Sequence, residues 1–202
     1  MARGRHLPSS ERRLHLIAAA TRVIAREGLD RATTRRIAAE ADVPLGSIHY
    51  VFPDKQALVT AVLDHWVAVT AGVAAERVRT GMGVAAAAGV LVRAYVEELE
   101  RNPGESAALY ELVLWARRTP AAGAVAARNY ADYEAVVADA LAAGARRPVD
   151  PDRLAEAAQL VITIADGVAL QLLASGDGAR ARRNADRVLG QAAGWLEAAD
   201  TP

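Results

Sequence analysis

The 202-residue sequence predicts an all-α protein. Alanine, the strongest helix former, accounts for 48 residues, whereas aromatic residues make up only 4%. Apolar residues recur every three or four positions along most of the chain, and alternating β-branched runs between turns are absent. These observations predict an N-terminal head of three helices with a helix-turn-helix, followed by a C-terminal helical bundle, about nine helices in total.

Three helices are predicted in the head. The first runs over about 10–27, with Gly28 at the position where a helix often ends. A second, short helix covers 33–41 and a third covers 45–51. Asp42 tolerates the positive φ that a tight turn between these two helices requires.

The rest of the chain predicts a larger helical body. A long helix begins after Asp54 and runs to about Arg79. Leu160–Ile164 is the best strand candidate, but it lies within an apolar window of helix length and is interpreted as buried helix. Five further helices, separated by glycine- or proline-containing breaks, are expected at about 84–101, 104–118, 121–144, 151–175 and 178–199.

Charge is distributed unevenly along the sequence. The formal net charge is zero, but residues 1–60 carry ten basic and six acidic side chains, and the remainder carries fourteen and eighteen. A basic head joined to an acidic body favours an anionic partner for the head. Lys55 is the single lysine.

Several classes of protein are excluded by features that the sequence lacks. Without cysteine, disulfide frameworks and thiolate sites are excluded. No uncharged apolar stretch of about 20 residues predicts a membrane span, and the basic start lacks the apolar run of a secretory signal, so we expect a cytoplasmic protein without membrane contact. No nucleophile–base pair, metal-ligand cluster or phosphate-binding loop is recognisable, so we expect no catalytic residue, metal or cofactor.

Residues 33–52 have the spacing of a helix-turn-helix, in which the second helix enters the DNA major groove. Ile48 and Phe52 are expected to point inward, while small and polar side chains face outward toward bases and phosphates. The predicted DNA-binding residues are Thr33, Thr34, Arg35, Arg36, Pro44, Leu45, Gly46, Ser47, His49, Tyr50 and Lys55.

Residues from about 10 to 58 resemble the DNA-binding head of the TetR family of transcriptional repressors. The resemblance is carried by IAREG at 24–28, TTRRIAAEADV at 33–43 and GSIHYVFPDKQAL at 46–58. Arg36 replaces the family's usual acidic residue, and Pro44 replaces the usual Ser or Thr. His49 takes the family's tyrosine position and Tyr50 follows it, so which of the two contacts phosphate stays open.

The resemblance implies a DNA-binding domain at 1–53 and an effector-binding, dimerisation domain at 54–202. It implies a homodimeric repressor that is released from a palindromic double-stranded operator by a small-molecule effector. The aromatic residues and the acidic balance of the body favour an apolar or cationic effector. The alternative is an all-helical small-molecule-binding protein or enzyme with no DNA role.

Two sets of body residues follow from the resemblance together with the positions of aromatic and apolar side chains. Asp166 and Gln171 interrupt an apolar stretch and suit either a pocket or an interface. The expected effector pocket comprises Trp66, Tyr95, Leu99, Tyr110, Leu114, Trp115, Tyr133, Asp166 and Gln171. The expected dimer interface comprises Leu160, Ile164, Val168, Leu172, Val188, Leu189, Ala192 and Leu196.

Overall fold

The computed structural model describes residues 9–200, which form nine α-helices and no strand. The all-α prediction is therefore confirmed, and 160–164 is helical as expected. A 3₁₀ turn at Pro120–Ala122 precedes α7. The helices are α1 (Ser9–Glu27), α2 (Thr34–Glu40), α3 (Leu45–Val51), α4 (Lys55–Arg77), α5 (Val84–Arg101), α6 (Pro103–Arg118), α7 (Gly123–Gly144), α8 (Pro151–Ser175) and α9 (Gly178–Ala199).

Local signals in the sequence explain where helices begin and end. Gly28 ends α1 with a φ of 81°, and Asp42 makes the turn after α2 with a φ of 51°. Asp54 caps α4, because its Oδ1 accepts a 2.7 Å hydrogen bond from the amide of Ala57. Helix α7 begins at Gly123 rather than 121, since the chain from Pro120 first makes the 3₁₀ turn.

The chain divides into two compact units. Among the described residues, unit 1 contains 9–65 and 104–126, and unit 2 contains 66–103 and 127–200. This division differs from the expected boundary at residue 53. In unit 1, α4 contributes buried Leu58 and Val62. Helix α6 contributes the Glu111 carboxylate, which accepts a 2.8 Å hydrogen bond from the amide of Leu29.

Unit 1 has a continuous apolar core. Its fully buried side chains come from all three N-terminal helices and from the turn that precedes α4. They include Leu16, Ile24, Ile37, Ile48 and Phe52. Burial of these residues fixes which faces of α2 and α3 remain at the surface.

Unit 2 is built on α5, α8 and α9, which pack against one another. Leu99 of α5 and Leu196 of α9 are fully buried there. Asp200 joins the ends of several elements: its Oδ2 accepts hydrogen bonds from the amides of Val84 (3.2 Å) and Arg146 (3.0 Å). One buried carboxylate thus ties the start of α5 and the segment after α7 to the end of α9.

Two of the described helices, α4 and α8, are long and apolar enough to cross a membrane by length and composition alone. This differs from the expectation that no segment qualifies, because these windows include a few charged residues. In α8, half of the window is buried inside the protein, as in the core helix of a helical bundle. Core helices pass the same test, so these two helices are weak evidence for a membrane span.

Candidate DNA-binding surface and ligand-binding region

Helices α2 and α3 form the predicted helix-turn-helix. Thr33 is the N-cap of α2, and its side chain accepts a hydrogen bond from the amide of Arg36 at 3.3 Å. Pro44 precedes α3 with a φ of −60° and supplies no side-chain cap. Proline fixes φ near the value that the start of a helix requires, so α3 begins after Pro44 without a side-chain cap.

The outer surface of α3 is open. Ile48 and Phe52 are buried, as expected, and hold α3 against the core of unit 1. Leu45, Gly46 and His49 are exposed, and Tyr50 is 85% exposed. Ser47 differs from the expectation of an outward position: it is only partly exposed, because it lies on the flank of α3 next to the buried Ile48.

Basic and acidic side chains join α1 to α2. Arg22 and Arg26 both hydrogen-bond the carboxylate of Glu40, and these bonds lower the pKa of Glu40 below its usual value. Arg36 forms an ion pair with Glu27. Arg35 and Thr33 are exposed, whereas Thr34 is partly buried. Arg35 therefore lies at the surface, whereas Arg36 is paired with Glu27 at the end of α1.

Lys55 is the first residue of α4 and has partners within unit 1. Its Nζ lies 3.7 Å from Oδ1 of Asp30 and 5.5 Å from the centre of the Trp115 ring. Its side chain remains 40% exposed. A lysine held by a fully solvated carboxylate and an aromatic face can exchange these partners for a phosphate.

The residues expected to line one effector pocket fall into both units. Tyr110, Leu114 and Trp115 belong to unit 1, and the other six belong to unit 2. Leu114 is 55% exposed and Gln171 is exposed, with its side-chain oxygen hydrogen-bonded to Asn184. Their outward positions on α6 and α8 argue against a place in an enclosed pocket. Leu99 is part of the core, and Trp66 is partly buried.

Tyrosine and aspartate side chains meet in unit 2. The Tyr130 hydroxyl donates a 2.9 Å hydrogen bond to Oδ2 of Asp166, which joins α7 to α8. Burial raises the pKa of Tyr130 and of Tyr133, and the nearby Asp166 carboxylate and Tyr95 raise both further. Tyr130 is not among the expected pocket residues, although its position three residues before Tyr133 on the same face of α7 was a signal in the sequence.

The expected dimer interface is largely the protein's own core. Five of its eight residues are buried within one chain: Ile164, Val168, Leu172, Leu189 and Leu196. Each of these side chains packs inside unit 2 and leaves little area for a partner, so their part in a dimer interface stays a prediction. Leu160 and Ala192 are partly buried. The exposed large apolar side chains of α8 and α9 are Leu170 (59%), Val188 (38%) and Trp195 (47%).

Comparison with known proteins agrees with this architecture. Residues 16–62 match the family described as bacterial regulatory proteins, tetR family, and residues 82–198 match the tetracyclin repressor-like C-terminal domain. The HTH-type nicotine-responsive transcriptional repressor HdnoR of Paenarthrobacter nicotinovorans is 30% identical over 164 residues, which cover 81% of this chain and 84% of that protein.

Two solved structures extend the comparison. The multidrug binding protein EbrR complexed with ethidium is 30% identical, covers 89% of this chain and 99% of its own, and has a TM-score of 0.62. A TetR family member from Streptomyces coelicolor A3 is 33% identical, with coverages of 88% and 97% and a TM-score of 0.63. The chain therefore belongs to the TetR family, whose members are dimeric, ligand-responsive, DNA-binding transcriptional regulators and not enzymes.

Proposed function

We propose that this chain is a cytoplasmic homodimeric repressor that a small molecule releases from a palindromic operator. The observation that carries the proposal is the open surface of α3, where Gly46, His49 and Tyr50 are exposed on a helix anchored by buried Ile48. One recognition helix reads only a few base pairs, and two of them about 34–36 Å apart read a palindrome.

The proposed DNA contacts combine base-reading and phosphate-binding groups. Leu45, Gly46, His49 and Tyr50 face the groove, with Pro44 at the entry to α3 and the partly exposed Ser47 on the flank of the helix. Thr33, Thr34 and Arg35 meet phosphate at the start of α2, where free amides favour an anion. Arg36 adds positive charge near the same phosphate while it stays paired with Glu27. Lys55 contacts a phosphate from the start of α4.

A titration of double-stranded DNA tests the proposal. Purified protein is titrated against its own upstream DNA and against a scrambled duplex of equal length, at two salt concentrations. We expect tighter binding to the upstream DNA, with two protomers per site. Equal, steeply salt-dependent binding to both duplexes would count against sequence-specific regulation of its own promoter.

The proposed dimer forms through the exposed faces of α8 and α9. Leu170, Val188 and Trp195 supply apolar area, and a Cβ added at the exposed Gly167 or Gly194 would meet nothing within 4 Å of the same chain. Small residues of this kind let two helices approach closely. The partly buried Leu160 and Ala192 border this surface.

Charge complementarity favours a second copy of the chain as the occupant of this surface. Acidic Asp152 and Glu156 are exposed near the start of α8. Three exposed arginines lie along the first half of α9, namely Arg180, Arg183 and Arg187. A two-fold axis across α8 would run each α8 antiparallel to its copy. The acidic end of one protomer would then meet the arginines of the other, which is the self-complementarity that an isologous contact needs.

The effector is proposed to be a small organic molecule bound in the body. Support comes from relatives: HdnoR is described as nicotine-responsive, and EbrR is described as binding ethidium. Tyr95, Tyr133 and Asp166 of unit 2 are the side chains that favour a binding region there, because they interact across α5, α7 and α8. The effector would bind preferentially to a conformation of the body in which the two recognition helices do not match the spacing of the half-sites. Binding would then shift the protein toward that conformation and release it from the operator.

A further inference from the structure

Helix α6 lies along the N-terminal part of the chain within unit 1. A Cβ added at Gly104, the second residue of α6, would lie 3.6 Å from the Cβ of Ala25 in α1. Glu111, two turns farther along α6, accepts the 2.8 Å hydrogen bond from the amide of Leu29. The helix therefore follows the chain from the end of α1 into the segment that leads to α2.

The next turn of α6 meets the start of α4. The centre of the Trp115 ring lies 5.5 Å from Nζ of Lys55, the residue proposed to contact phosphate. Arg118 follows Trp115 by three residues and Glu111 by seven, so these three side chains share one face of α6. One turn of helix rises about 5.4 Å. A second positive charge therefore lies on this face, about one turn beyond the ring that contacts Lys55.

The side chain of Arg118 is available to an anion. It is exposed, and within residues 9–200 it has no ion-pair or hydrogen-bond partner. By contrast, Arg22 and Arg36 in the same unit are paired with carboxylates. The sequence from 112 to 131 contains no acidic residue, so no carboxylate nearby along the chain neutralises this charge. An unneutralised arginine that meets a DNA phosphate releases a counterion, which favours binding.

We infer that α6 supplies a further DNA contact, in which Arg118 binds a phosphate next to the one that Lys55 is proposed to bind. The inference rests on the proposed function, and it extends the DNA-binding surface beyond the helix-turn-helix and the start of α4. It adds to the affinity for any duplex and reads no base, because the phosphates carry no sequence information.

The adjacent Arg117 separates this role from a structural one. Basic side chains interact favourably with the C-terminal end of a helix, and both arginines lie in the last turn of α6. Arg117 is exposed but follows Trp115 by two residues, about 200° around the helix, so it lies on the opposite face. A structural role would be common to the two arginines, whereas the DNA contact belongs to Arg118 alone.

DNA titrations compare the two arginines. The full-length wild type, Arg118→Gln and Arg117→Gln are titrated with the upstream duplex and with the scrambled duplex at several salt concentrations. Glutamine removes the charge and has a similar helix propensity. We expect Arg118→Gln to weaken binding to both duplexes alike and to reduce the slope of log affinity against log salt concentration by about 0.9 for each protomer bound. Arg117→Gln and the charge-conserving Arg118→Lys should keep the wild-type slope.

A chemical modification experiment on the wild type needs no variant. Phenylglyoxal reacts with exposed arginine side chains, and fragmentation mass spectrometry distinguishes Arg117 from Arg118. We expect excess duplex to slow the modification of Arg118 and to leave that of Arg117 nearly unchanged. This readout keeps the inference falsifiable should Arg118→Gln fail to fold.

Three results would overturn the inference. These are a wild-type slope in Arg118→Gln, an equal reduction of the slope in Arg117→Gln, or equal reactivity of the two arginines in the presence of DNA. If the wild type still prefers the upstream duplex, such a result overturns the inference alone and leaves the proposed function standing. A wild type that binds neither duplex would overturn both.

Discussion

At the scale of single residues, Gly46 leaves the middle of α3 without a side chain. A Cβ at this position would meet nothing within 4 Å, so a larger residue can be accommodated by the fold. Gly46→Arg is expected to lower affinity for the specific operator at least about 100-fold, because the new side chain would occupy the space between α3 and the groove. Fluorescence anisotropy with labelled operator DNA measures the affinity, and thermal unfolding monitors the fold.

Gly72→Arg is the matched control for that prediction. Gly72 is an exposed helical glycine of α4, and a Cβ there likewise meets nothing within 4 Å. This variant adds the same charge and bulk away from α3, so operator affinity should change little. Equal affinities for the two variants would contradict the assignment of α3 as the recognition helix.

Lys55 gives a prediction about salt dependence. If Lys55 leaves Asp30 and Trp115 to contact a phosphate, Lys55→Ala should weaken binding to specific and scrambled DNA alike. The slope of log affinity against log salt concentration should fall by about 1, since one fewer counterion is released. Titrations at several salt concentrations measure this slope.

Arg77→Ala is the control for the salt experiment. Arg77 lies at the other end of α4 and hydrogen-bonds Glu97 at 2.6 Å. Its removal should leave the slope unchanged. A slope that Lys55→Ala does not alter would show that the lysine stays with Asp30 and Trp115 in the complex.

Asn129 of α7 is 6% exposed, and its side-chain Nδ2 has no hydrogen-bond acceptor among the residues that the structure describes. Asn129→Leu removes a buried donor that lacks an acceptor and keeps a similar volume, so the ligand-free protein should become more stable by about 1 kcal/mol. Urea denaturation measures the free energy of unfolding. Asn184→Leu is the comparison, because the Asn184 amide donates to Gln171 at 3.1 Å and its loss should not stabilise. A destabilised Asn129→Leu would indicate that the amide is satisfied by water.

At the scale of elements, local sequence determines where each helix begins and ends. It does not determine which helices pack against one another. Helices 84–101, 151–175 and 178–199 have the bounds that the sequence predicts, since glycine and proline breaks and Asp caps act within a few residues. The hydrogen bond between Tyr130 and Asp166 joins residues 36 positions apart. That pairing depends on how α7 packs on α8, which periodicity does not specify.

Asp200 supports an element-scale prediction. Its buried carboxylate accepts from the amides of Val84 and Arg146, two backbone donors at the ends of other elements. Asp200→Ala should destabilise the protein by about 1–3 kcal/mol, because both donors lose their acceptor in a buried setting. Asp186→Ala, which breaks an exposed pair with Arg93, should cost much less. Similar free energies of unfolding for the two variants would contradict the role of Asp200.

At the scale of the whole molecule, sequence alone did not separate core from interface. Ile164, Val168 and Leu189 are apolar at helical spacing, which suits an intramolecular core and a dimer contact equally well. Each lies buried within one chain. The residues available to a partner are those whose side chains are not buried in the core of one chain, and only the packed structure identifies them. The helix-turn-helix was easier to predict, because its turn, caps and inward residues lie within 20 consecutive positions.

The proposed dimer surface leads to a prediction about assembly. Trp195 is large, apolar and 47% exposed, and it lies one residue after Gly194 on α9. Trp195→Asp should shift the protein to monomer at micromolar concentration, since a carboxylate would be buried without a partner at the contact. Sedimentation velocity measures the association state of the full-length chain.

Loss of the dimer should also weaken operator binding, because a monomer engages a single half-site. Val69→Asp is the control: Val69 of α4 is 40% exposed but lies outside α8 and α9. The same change of apolar residue to carboxylate there should leave both the dimer and operator affinity intact. Dimerisation that survives in Trp195→Asp and fails in Val69→Asp would move the interface from α8 and α9 to α4.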